Sequence, residues 1–312
     1  MNKLLTIIVP LFNEEEVLES TINRILNLEE SLIKIDIELI FIDDGSTDNS
    51  LKILEDNAIK DRRIKIVSLS RNFGHQSAIT AGFEKAKGDF ICVIDADLQD
   101  PPEEIPKMLD KLNEGFDLVY GKRKLRLGES KFKKNTAIFF YQLFNYLSYV
   151  DMPADTGDFR IFNKKVLTSF NTLSEKEKFI RGMFAWLGFK THAHEYVREK
   201  RLKGITKYPL SKMINFALNG ILSFSNKPLR IVTRLGFVIL LVTVLLGSIT
   251  AYLRIFMLVE IPYLTSILLI VAFFGSVQIL ILGIIGEYIA KIFEEVKNRP
   301  VYIINKEVNF DN

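Results

Sequence analysis

The sequence predicts an α/β fold with a mostly parallel sheet, followed by two long apolar helices. Short apolar segments alternate with amphipathic ones from residue 4 to residue 122, which is typical of βαβ units. Two later segments contain no charged residue at all. Internal repeats and low-complexity segments are absent, and a net charge of +3 over 312 residues is not extreme. These observations indicate a globular domain joined to apolar helices.

The first part of the chain is predicted to contain strands and helices in strict alternation. Strands are indicated by short apolar runs, and helices by apolar residues at spacings of three and four. The predicted strands are Leu4–Val9, Ile37–Ile42, Ile64–Leu69, Phe90–Ile94 and Leu118–Tyr120. The predicted helices are Glu14–Leu28, Asp48–Ala58, Gln76–Lys87 and Glu103–Asn113. The single cysteine, Cys92, falls within a predicted strand and has no partner for an internal disulfide.

Two segments are long enough to cross a membrane. No charge occurs from Leu235 to Leu253 or from Ile261 to Gly286, and about 20 apolar residues cross a bilayer core. One such run could be a buried helix of a soluble protein, but two in succession favour transmembrane helices. Basic residues flank the outer ends of the pair, namely Arg230, Arg234, Lys291, Lys297 and Arg299. The positive-inside rule therefore predicts that both termini face the cytoplasm.

An acidic triplet, Asp95-Ala96-Asp97, directly follows the fourth predicted strand. In open α/β sheets, ligands bind beyond the carboxyl ends of the strands, so both carboxylates are expected at the mouth of a cleft. Paired carboxylates suit a hard cation such as Mg²⁺, which is held by one or two carboxylates together with substrate phosphates. The triplet alone is equally compatible with an ordinary turn, because Asp is a common turn residue.

The three preceding strand ends are polar as well. They carry Asn13-Glu14-Glu15, Asp43-Asp44-Gly45-Ser46-Thr47-Asp48 and Ser70-Arg71-Asn72-Phe73-Gly74-His75. Helix capping by Asn13, Thr47 or Asp48 does not explain four polar strand ends at one edge, whereas a nucleotide cleft does. The chain has no Gly-X-Gly-X-X-Gly after the first strand and no Gly-Lys-Ser/Thr P-loop. A dinucleotide oxidoreductase and a P-loop NTPase are therefore disfavoured.

Together these segments resemble the signature of family 2 glycosyltransferases with the GT-A fold. The resemblance rests on Ile-Val-Pro-Leu-Phe-Asn-Glu-Glu (8–15), Phe-Ile-Asp-Asp-Gly-Ser-Thr-Asp (41–48), Asp-Ala-Asp-Leu-Gln-Asp-Pro-Pro-Glu (95–103) and Asp155-Thr-Gly-Asp-Phe-Arg160. The segment from Arg201 to Lys207 and the two apolar runs narrow it to polyprenyl-phosphate glycosyltransferases, the dolichyl-phosphate mannose synthase-like group. It covers essentially the whole chain.

The resemblance implies roles for individual residues. Asp95, Asp97 and Gln99 would bind Mg²⁺ or Mn²⁺, Asp97 and Asp158 would be catalytic, and Asp43 would contact the nucleobase or ribose. The residues expected to bind the nucleotide-sugar are Pro10, Phe12, Asn13, Glu14, Asp43, Asp44, Arg71, Asn72, Asp95 and Ala96. Lys122 departs from the family pattern, which usually has a small Ser there, but the neighbouring Arg123 remains.

Two basic clusters bracket the region around Asp158. One comprises Lys122, Arg123, Lys124, Arg126, Lys131, Lys133 and Lys134, and the other Arg198, Lys200, Arg201, Lys203 and Lys207. A phosphate acceptor is already an anionic nucleophile, so it needs cations to hold it and little help with deprotonation. The same charges could instead attract anionic lipid head groups. Binding of a lipid phosphate is assigned mainly to Arg123, Lys134, Arg201 and Lys207.

Residues Pro209–Ser225 have apolar side chains at spacings of three and four. This pattern predicts an amphipathic helix in the membrane interface, although the same stripe could pack on the sheet. Ile138–Val150, rich in Phe and Tyr, is a second candidate for contacting lipid. The predicted organisation is a cytosolic GT-A domain (1–207), an amphipathic juxtamembrane helix and linker (208–230), two transmembrane helices (231–290) and a cytosolic C-terminal tail (291–312).

From the resemblance we expect a metal-dependent, inverting hexosyltransferase in the bacterial cytoplasmic membrane. It would move a sugar, glucose in the first place, from a nucleotide-sugar to a polyprenyl phosphate such as undecaprenyl phosphate. Mannose from GDP-mannose, an N-acetylhexosamine from its UDP derivative and aminoarabinose from UDP-aminoarabinose remain open. A processive polysaccharide synthase is disfavoured because no Gln-X-X-Arg-Trp motif is present.

An alternative of a different class is a catalytically silent scaffold for a lipid-sugar flippase. The intact Asp-X-Asp triplet and Asp158 argue against it. The expected partners are the nucleotide-sugar, the lipid acceptor, the membrane and further copies of the same chain, with no nucleic acid among them.

Overall fold

A computed structural model describes residues 2–32, 34–124, 156–176, 178–199, 227–256 and 263–310. The strands in these ranges are β1 (Lys3–Leu11), β2 (Ile35–Asp43), β3 (Ile64–Leu69), β4 (Phe90–Val93), β5 (Leu118–Arg123), β6 (Thr156–Asn163), β7 (Thr191–Tyr196) and β8 (Ile304–Val308). The helices are α1 (Leu18–Leu26), α2 (Ser50–Lys60), α3 (His75–Lys85), α4 (Ile105–Asn113), α5 (Lys164–Asn171), α6 (Ile180–Leu187), α7 (Lys227–Phe256) and α8 (Tyr263–Lys297). Short 3₁₀ turns occupy Asn27–Ser31 and Pro102–Glu104.

The strands form one mixed sheet in the order β7-β5-β6-β4-β1-β2-β3-β8. Its centre is parallel, because β1 pairs in parallel with both β2 and β4, and β2 with β3. β6 runs antiparallel between β4 and β5, and β7 pairs in parallel with β5. The parallel centre therefore brings the carboxyl ends of β1 to β4 to one edge, which is where a ligand site is expected.

Helices cover both faces of the sheet. One apolar cluster joins the sheet to α1, α2 and α4, and the other joins it to α3, α5 and α6. Successive residues of β1 alternate between them, with Ile7 in the first cluster and Ile8 in the second, both fully buried. A strand buried on both faces reads as a continuous apolar run, which is why the central strands were recognisable in the sequence.

The predicted mixed α/β architecture is confirmed, with shifts at helix starts. The β3 range matches the prediction, whereas α1 begins at Leu18 rather than at Glu14. The intervening turn is held by tertiary contacts, since Glu14 N donates to Ser50 Oγ (3.0 Å) and Glu15 N to Asp48 Oδ2 (3.2 Å). Contacts with a distant segment therefore override the local helical pattern.

Helices α7 and α8 are the two apolar C-terminal helices that the sequence predicts. Each contains a window, Leu229–Leu246 and Phe273–Lys297, that is long and apolar enough to cross a membrane. The described side chains in these windows are not buried within the protein. The amphipathic segment Pro209–Ser225 and the aromatic segment Ile138–Val150 lie outside the described residues.

Part of the segment assigned to a separate tail, residues 291–312, instead belongs to the sheet. α8 continues to Lys297, and β8 then pairs antiparallel with β3. Side chains strengthen this edge: Tyr302 Oη donates to Glu84 (2.6 Å), and Glu307 forms an ion pair with Lys85 (2.7 Å). The sequence Ile-Asn-Lys-Glu-Val lacks the apolar run of a central strand because an edge strand is largely exposed.

Asn309 fastens the chain beyond β8, and we predict that its replacement destabilises the protein. Its Nδ2 donates to the carbonyls of Ala58 (2.8 Å) and Ile64 (2.9 Å), and its φ is +63°. Asn309→Gly keeps the backbone conformation but loses both bonds, each worth about 1 kcal/mol. The melting midpoint of the solubilised protein should fall by about 4–8 °C, at roughly 2–4 °C per kcal/mol.

The matched variant Asn309→Ala loses the same bonds and also places a Cβ in the left-handed region, which costs about 1 kcal/mol more. Its midpoint should therefore lie below that of Asn309→Gly. Equal wild-type midpoints for both variants would show that this anchor does not stabilise the sheet.

Candidate active site

A cavity of about 600 Å³ opens at the carboxyl ends of the central strands. The segments that follow β1, β2, β3 and β4 all contribute to its wall, and residues of β5 and β6 close it on the other side. Of the residues predicted to bind the nucleotide-sugar, those that line the cavity are Pro10, Phe12, Glu14, Asp44, Asn72, Asp95 and Ala96. Both residues predicted to be catalytic, Asp97 and Asp158, also line it.

The acidic triplet forms a tight turn whose side chains line the cavity. Leu98 has a φ of +56°, Gln99 N donates to Asp97 Oδ1 (3.1 Å), and Thr21 Oγ1 donates to the carbonyl of Ala96 (2.8 Å). Asp95, Asp97 and Gln99 all reach the cavity wall. The triplet therefore forms a turn and also part of the cavity wall. Its interpretation as a turn is compatible with its interpretation as a cation site.

Asp95 has an oxygen that is buried and not satisfied by the described part of the chain. Its Oδ1 accepts no hydrogen bond there, and the His75 Nε2 atom lies 3.6 Å away. Burial raises the pKa of Asp95 to about 6, although the positive charge of His75 acts in the opposite direction. A buried carboxylate oxygen without a partner is costly, so a cation or a donor group is expected to occupy this position.

The donor set fits a cation shared with a substrate. Within the described ranges, no group of three or more His, Cys, Asp and Glu side chains could hold a metal ion alone. Two carboxylates, Asp95 and Asp97, with the amide of Gln99 nevertheless face the same cavity. Mg²⁺ is usually bound by one or two protein carboxylates, with water and phosphate oxygens as the other ligands.

Asp158, on β6, is held by two cationic side chains. It is 4 % exposed, and Arg181 donates to both of its oxygens at 2.9 Å. His75 Nε2 lies 3.2 Å from Oδ2. Burial opposes ionisation, but the charge and hydrogen bonds of Arg181, together with His75, hold the pKa of Asp158 well below its usual range. Asp158 is therefore a weak proton acceptor near neutral pH and suits an orienting or charge-stabilising role.

His75 and Arg181 had no role in the sequence interpretation. Burial opposes protonation of His75, but the bond to Asp158 and the charge of Asp95 raise its pKa to about 9. The available signal for Arg181 was its position as the only charged residue in the segment that forms α6. Arg160 also contacts Asp158. Its Nε donates to the Asp158 carbonyl (3.2 Å), and its guanidinium packs on the ring of Phe184 (4.6 Å).

Asp43 and Asp44 connect the end of β2 to neighbouring segments of the cleft by hydrogen bonds. Asp43 is 1 % exposed, does not line the cavity, and accepts bonds from Ser46 N (3.0 Å) and Ser68 Oγ (2.9 Å). Asp44 accepts bonds from Phe73 N (2.7 Å) and Gly74 N (2.9 Å), and burial raises its pKa. These bonds join the end of β2 to the loop that leads into α3. Contact of either carboxylate with a nucleotide stays a prediction.

Asn13 and Arg71 were also predicted to bind the nucleotide-sugar, but neither lines the cavity. Asn13 Oδ1 accepts a bond from Thr47 N (2.8 Å), which joins the ends of β1 and β2. The Arg71 guanidinium packs on the ring of Phe73 at 4.0 Å. The backbone of Arg71 also lies against Gly45, where a Cβ would come within 2.5 Å of the Arg71 carbonyl carbon.

Among the predicted lipid-phosphate ligands, Arg123 lines the cavity. Its guanidinium lies over Gly157, where a Cβ would come within 2.7 Å of Arg123 Nη2. Lys134, Arg201 and Lys207 lie outside the described residues. Arg198, which the sequence interpretation placed in a basic cluster but gave no specific role, also lines the cavity.

Comparison with known proteins identifies related chains over nearly the full length. Residues 6–170 match the model of glycosyl transferase family 2. An uncharacterized glycosyltransferase of Bacillus subtilis is 45% identical over 307 residues, covering 98% of this chain and 95% of that one. An SfII prophage-derived bactoprenol glucosyl transferase of Shigella flexneri is 38% identical over 305 residues, covering 97% of each chain.

Among solved structures, a mannosyltransferase from Pyrobaculum calidifontis in complex with GDP-Man and Mn²⁺ has a similar fold. The TM-score is 0.51 at 15% sequence identity, and the match covers 74% of this chain and 65% of that one. At this identity the similarity extends to the fold alone.

Proposed function

Because this chain belongs to glycosyl transferase family 2, we propose that it transfers glucose from a nucleotide-sugar to a polyprenyl phosphate. The main support is the composition of its cavity, with acidic groups at the ends of β4 and β6 and arginines at the ends of β5 and β7. Relatives named bactoprenol glucosyl transferases, 38% identical over nearly their whole length, favour glucose and a polyprenyl acceptor.

The cavity residues that follow β1, β3 and β4 are assigned to the nucleotide-sugar donor. Asp95, Asp97 and Gln99 would hold Mg²⁺ or Mn²⁺, supported by the unsatisfied Oδ1 of Asp95. Such a cation would act as a Lewis acid that stabilises negative charge on the leaving diphosphate. Phe12, Glu14 and Asn72 line the part of the cavity beyond β1 and β3, and are assigned to the nucleotide. The loop containing Asn72 is fixed by the two bonds to Asp44.

The acceptor needs positioning more than activation. Its phosphate oxygen is already negative at neutral pH, so it needs no base. It would attack the anomeric carbon from the face opposite the leaving diphosphate, whose bond to the sugar breaks, and the configuration there would invert. Asp158 faces the cavity as a carboxylate fixed by Arg181 and His75, and its charge would stabilise the positive charge that develops on the sugar ring. Arg123, with Lys134, Arg201 and Lys207, would hold the acceptor phosphate.

We assign α7 and α8 to the membrane, with the segments before and after them on the cytoplasmic side. Support comes from β8, which follows both helices yet pairs with β3 of the N-terminal part. Because the segments before and after the two helices belong to one sheet, both segments must lie on the same side of the membrane. The chain between them therefore crosses the membrane an even number of times. The basic residues at the outer ends of the pair favour the cytoplasm for that sheet.

The experiment that tests this proposal uses membranes containing the expressed protein. They are incubated with undecaprenyl phosphate and, separately, UDP-glucose, GDP-mannose or UDP-N-acetylglucosamine, and the glycolipid is identified by mass. We expect undecaprenyl phosphate glucose from UDP-glucose and little product from the other two donors. A product containing only mannose or N-acetylglucosamine would contradict the proposed sugar, and no glycolipid from any donor would contradict transfer itself.

A further inference from the structure

We propose that Arg198 is a second ligand of the acceptor phosphate and that Asp100 is the positioning residue that holds Arg198 and Arg123 as a pair. The inference rests on the proposed function and extends it to two residues with no role assigned so far. Asp100 has 0 % exposure. Its Oδ1 accepts a bond from Tyr196 Oη and lies 3.5 Å from Arg198 Nε, while its Oδ2 lies 3.7 Å from Arg123 Nη2.

The fold brings these residues together from three distant segments. Arg123 ends β5 and Tyr196 ends β7, and the parallel pairing of the two strands sets these residues side by side. Arg198 follows two residues later. Asp100 follows the acidic turn, and Glu199 N donates to the Gln99 carbonyl (2.9 Å), which ties the segment after β7 to that turn. The arginines are therefore placed by backbone pairing as well as by their carboxylate.

The two guanidiniums are positioned but not neutralised. One carboxylate faces two cations, which leaves a net positive charge at the cavity wall. The distances of 3.5 and 3.7 Å exceed the roughly 2.7–2.9 Å of a charge-assisted hydrogen bond. The Nε–H groups of Arg123 and Arg198 are buried and donate to no acceptor in the described part of the chain. Arg181 differs, because it forms two close bonds with Asp158.

A pair of guanidiniums with free donor capacity matches the oxygens of a phosphoryl group. The cavity would contain two sources of that group, the acceptor phosphate and the donor diphosphate. β5 is separated from β4, whose end carries the residues assigned to the donor diphosphate, by β6, which carries Asp158. At roughly 4.8 Å per strand this puts β5 about 10 Å from the end of β4. This separation favours the acceptor phosphate as the ligand of the pair.

Equilibrium binding to the solubilised full-length protein tests the pair without relying on turnover. Dissociation constants are measured separately for undecaprenyl phosphate in detergent micelles and for UDP with Mn²⁺. Arg198→Gln should weaken binding of undecaprenyl phosphate about 10- to 100-fold, the effect of losing a hydrogen bond between charged groups. UDP binding should stay within about twofold. Arg198→Lys, which retains the charge, should recover part of the loss, and the exposed Arg62→Gln should match wild type.

Asp100→Asn tests the positioning role. The amide can still accept the Tyr196 bond, but the two guanidiniums then repel each other without a carboxylate between them. We expect binding of undecaprenyl phosphate to weaken about three- to tenfold, again with UDP binding unchanged. Tighter binding would overturn the positioning role, because it would show that Asp100 only offsets charge. A lower melting midpoint with both dissociation constants unchanged would reduce Asp100 to a structural residue.

Three results for Arg198→Gln separate the possibilities. Weaker binding of undecaprenyl phosphate alone supports the pair as an acceptor site. Weaker UDP binding with unchanged undecaprenyl phosphate binding would assign the pair to the donor diphosphate and overturn the inference. Unchanged binding of both would do the same. None of these results depends on which sugar is transferred, so failure of the glucose assay and failure of this inference are distinguishable.

Discussion

Asp97→Asn should lower the rate of sugar transfer by about a thousandfold or more while leaving the protein folded and inserted. The amide keeps the shape of the side chain but removes one of the two carboxylates, Asp95 and Asp97, that we assign with Gln99 to the cation. A Lewis-acid cation is worth several kcal/mol of transition-state stabilisation, and about 1.36 kcal/mol corresponds to a tenfold change in rate. The measurement is the initial rate of glycolipid formation per mole of purified protein, with the melting midpoint recorded alongside.

The matched control is Asp110→Asn, the same substitution at an exposed position of α4. It should transfer sugar at the wild-type rate. Direct binding of Mn²⁺ in the presence of UDP adds a readout that is independent of turnover, and Asp97→Asn should weaken it. Unimpaired transfer by Asp97→Asn would remove Asp97 from the cation site, whatever the control shows.

Asp158→Asn should lower kcat about a hundred- to a thousandfold, the usual cost of removing a group that stabilises transition-state charge. The substitution leaves Arg181 and His75 facing a neutral amide, so the negative charge that we assign to stabilising the sugar ring is lost. The KM for the nucleotide-sugar should change little, because Asp158 is assigned to the reacting centre rather than to the nucleotide. Steady-state kinetics with varied donor and fixed undecaprenyl phosphate measure both constants.

Stability must be followed in the same preparation. Removing one partner of a buried ion pair costs about 3–5 kcal/mol, so Asp158→Asn should also melt at a lower temperature than wild type. Arg181→Gln breaks the same pair from the other side and keeps the carboxylate, so it should lose stability with a smaller loss of kcat. Equal losses of kcat in the two variants at a temperature where both are folded would make Asp158 a structural residue.

The sequence predicted the parallel half of the sheet well because its signals are local. The apolar runs of β1 to β4 and the polar residues directly after them occur in short contiguous segments. The positions of Asp95 and Asp97 follow from the rule that strand ends meet at one edge. The sequence alone did not show that Asp158 lines the same cavity as these two residues. Asp158 lies on β6, which is distant along the chain and pairs antiparallel with β4.

The remaining site residues could not be predicted, because their roles depend on pairing between distant segments. Arg181 is separated by 23 positions from Asp158, and Tyr196 by 96 from Asp100. Neither spacing forms a motif in a single sequence. The basic clusters were visible, yet nothing in composition distinguishes Arg198, which meets a buried carboxylate, from the lysines beside it. β8 escaped prediction because one face of an edge strand is polar.

The late position of β8 has a consequence for biosynthesis. A ribosome makes this strand only after it has made both apolar helices, so the outer edge of β3 stays uncovered until both helices have been made. An uncovered edge offers free N–H and C=O groups that pair readily with other chains. A chain that ends within α8 therefore leaves the outer edge of β3 uncovered. Completion of the sheet therefore depends on a strand that is made after both apolar helices.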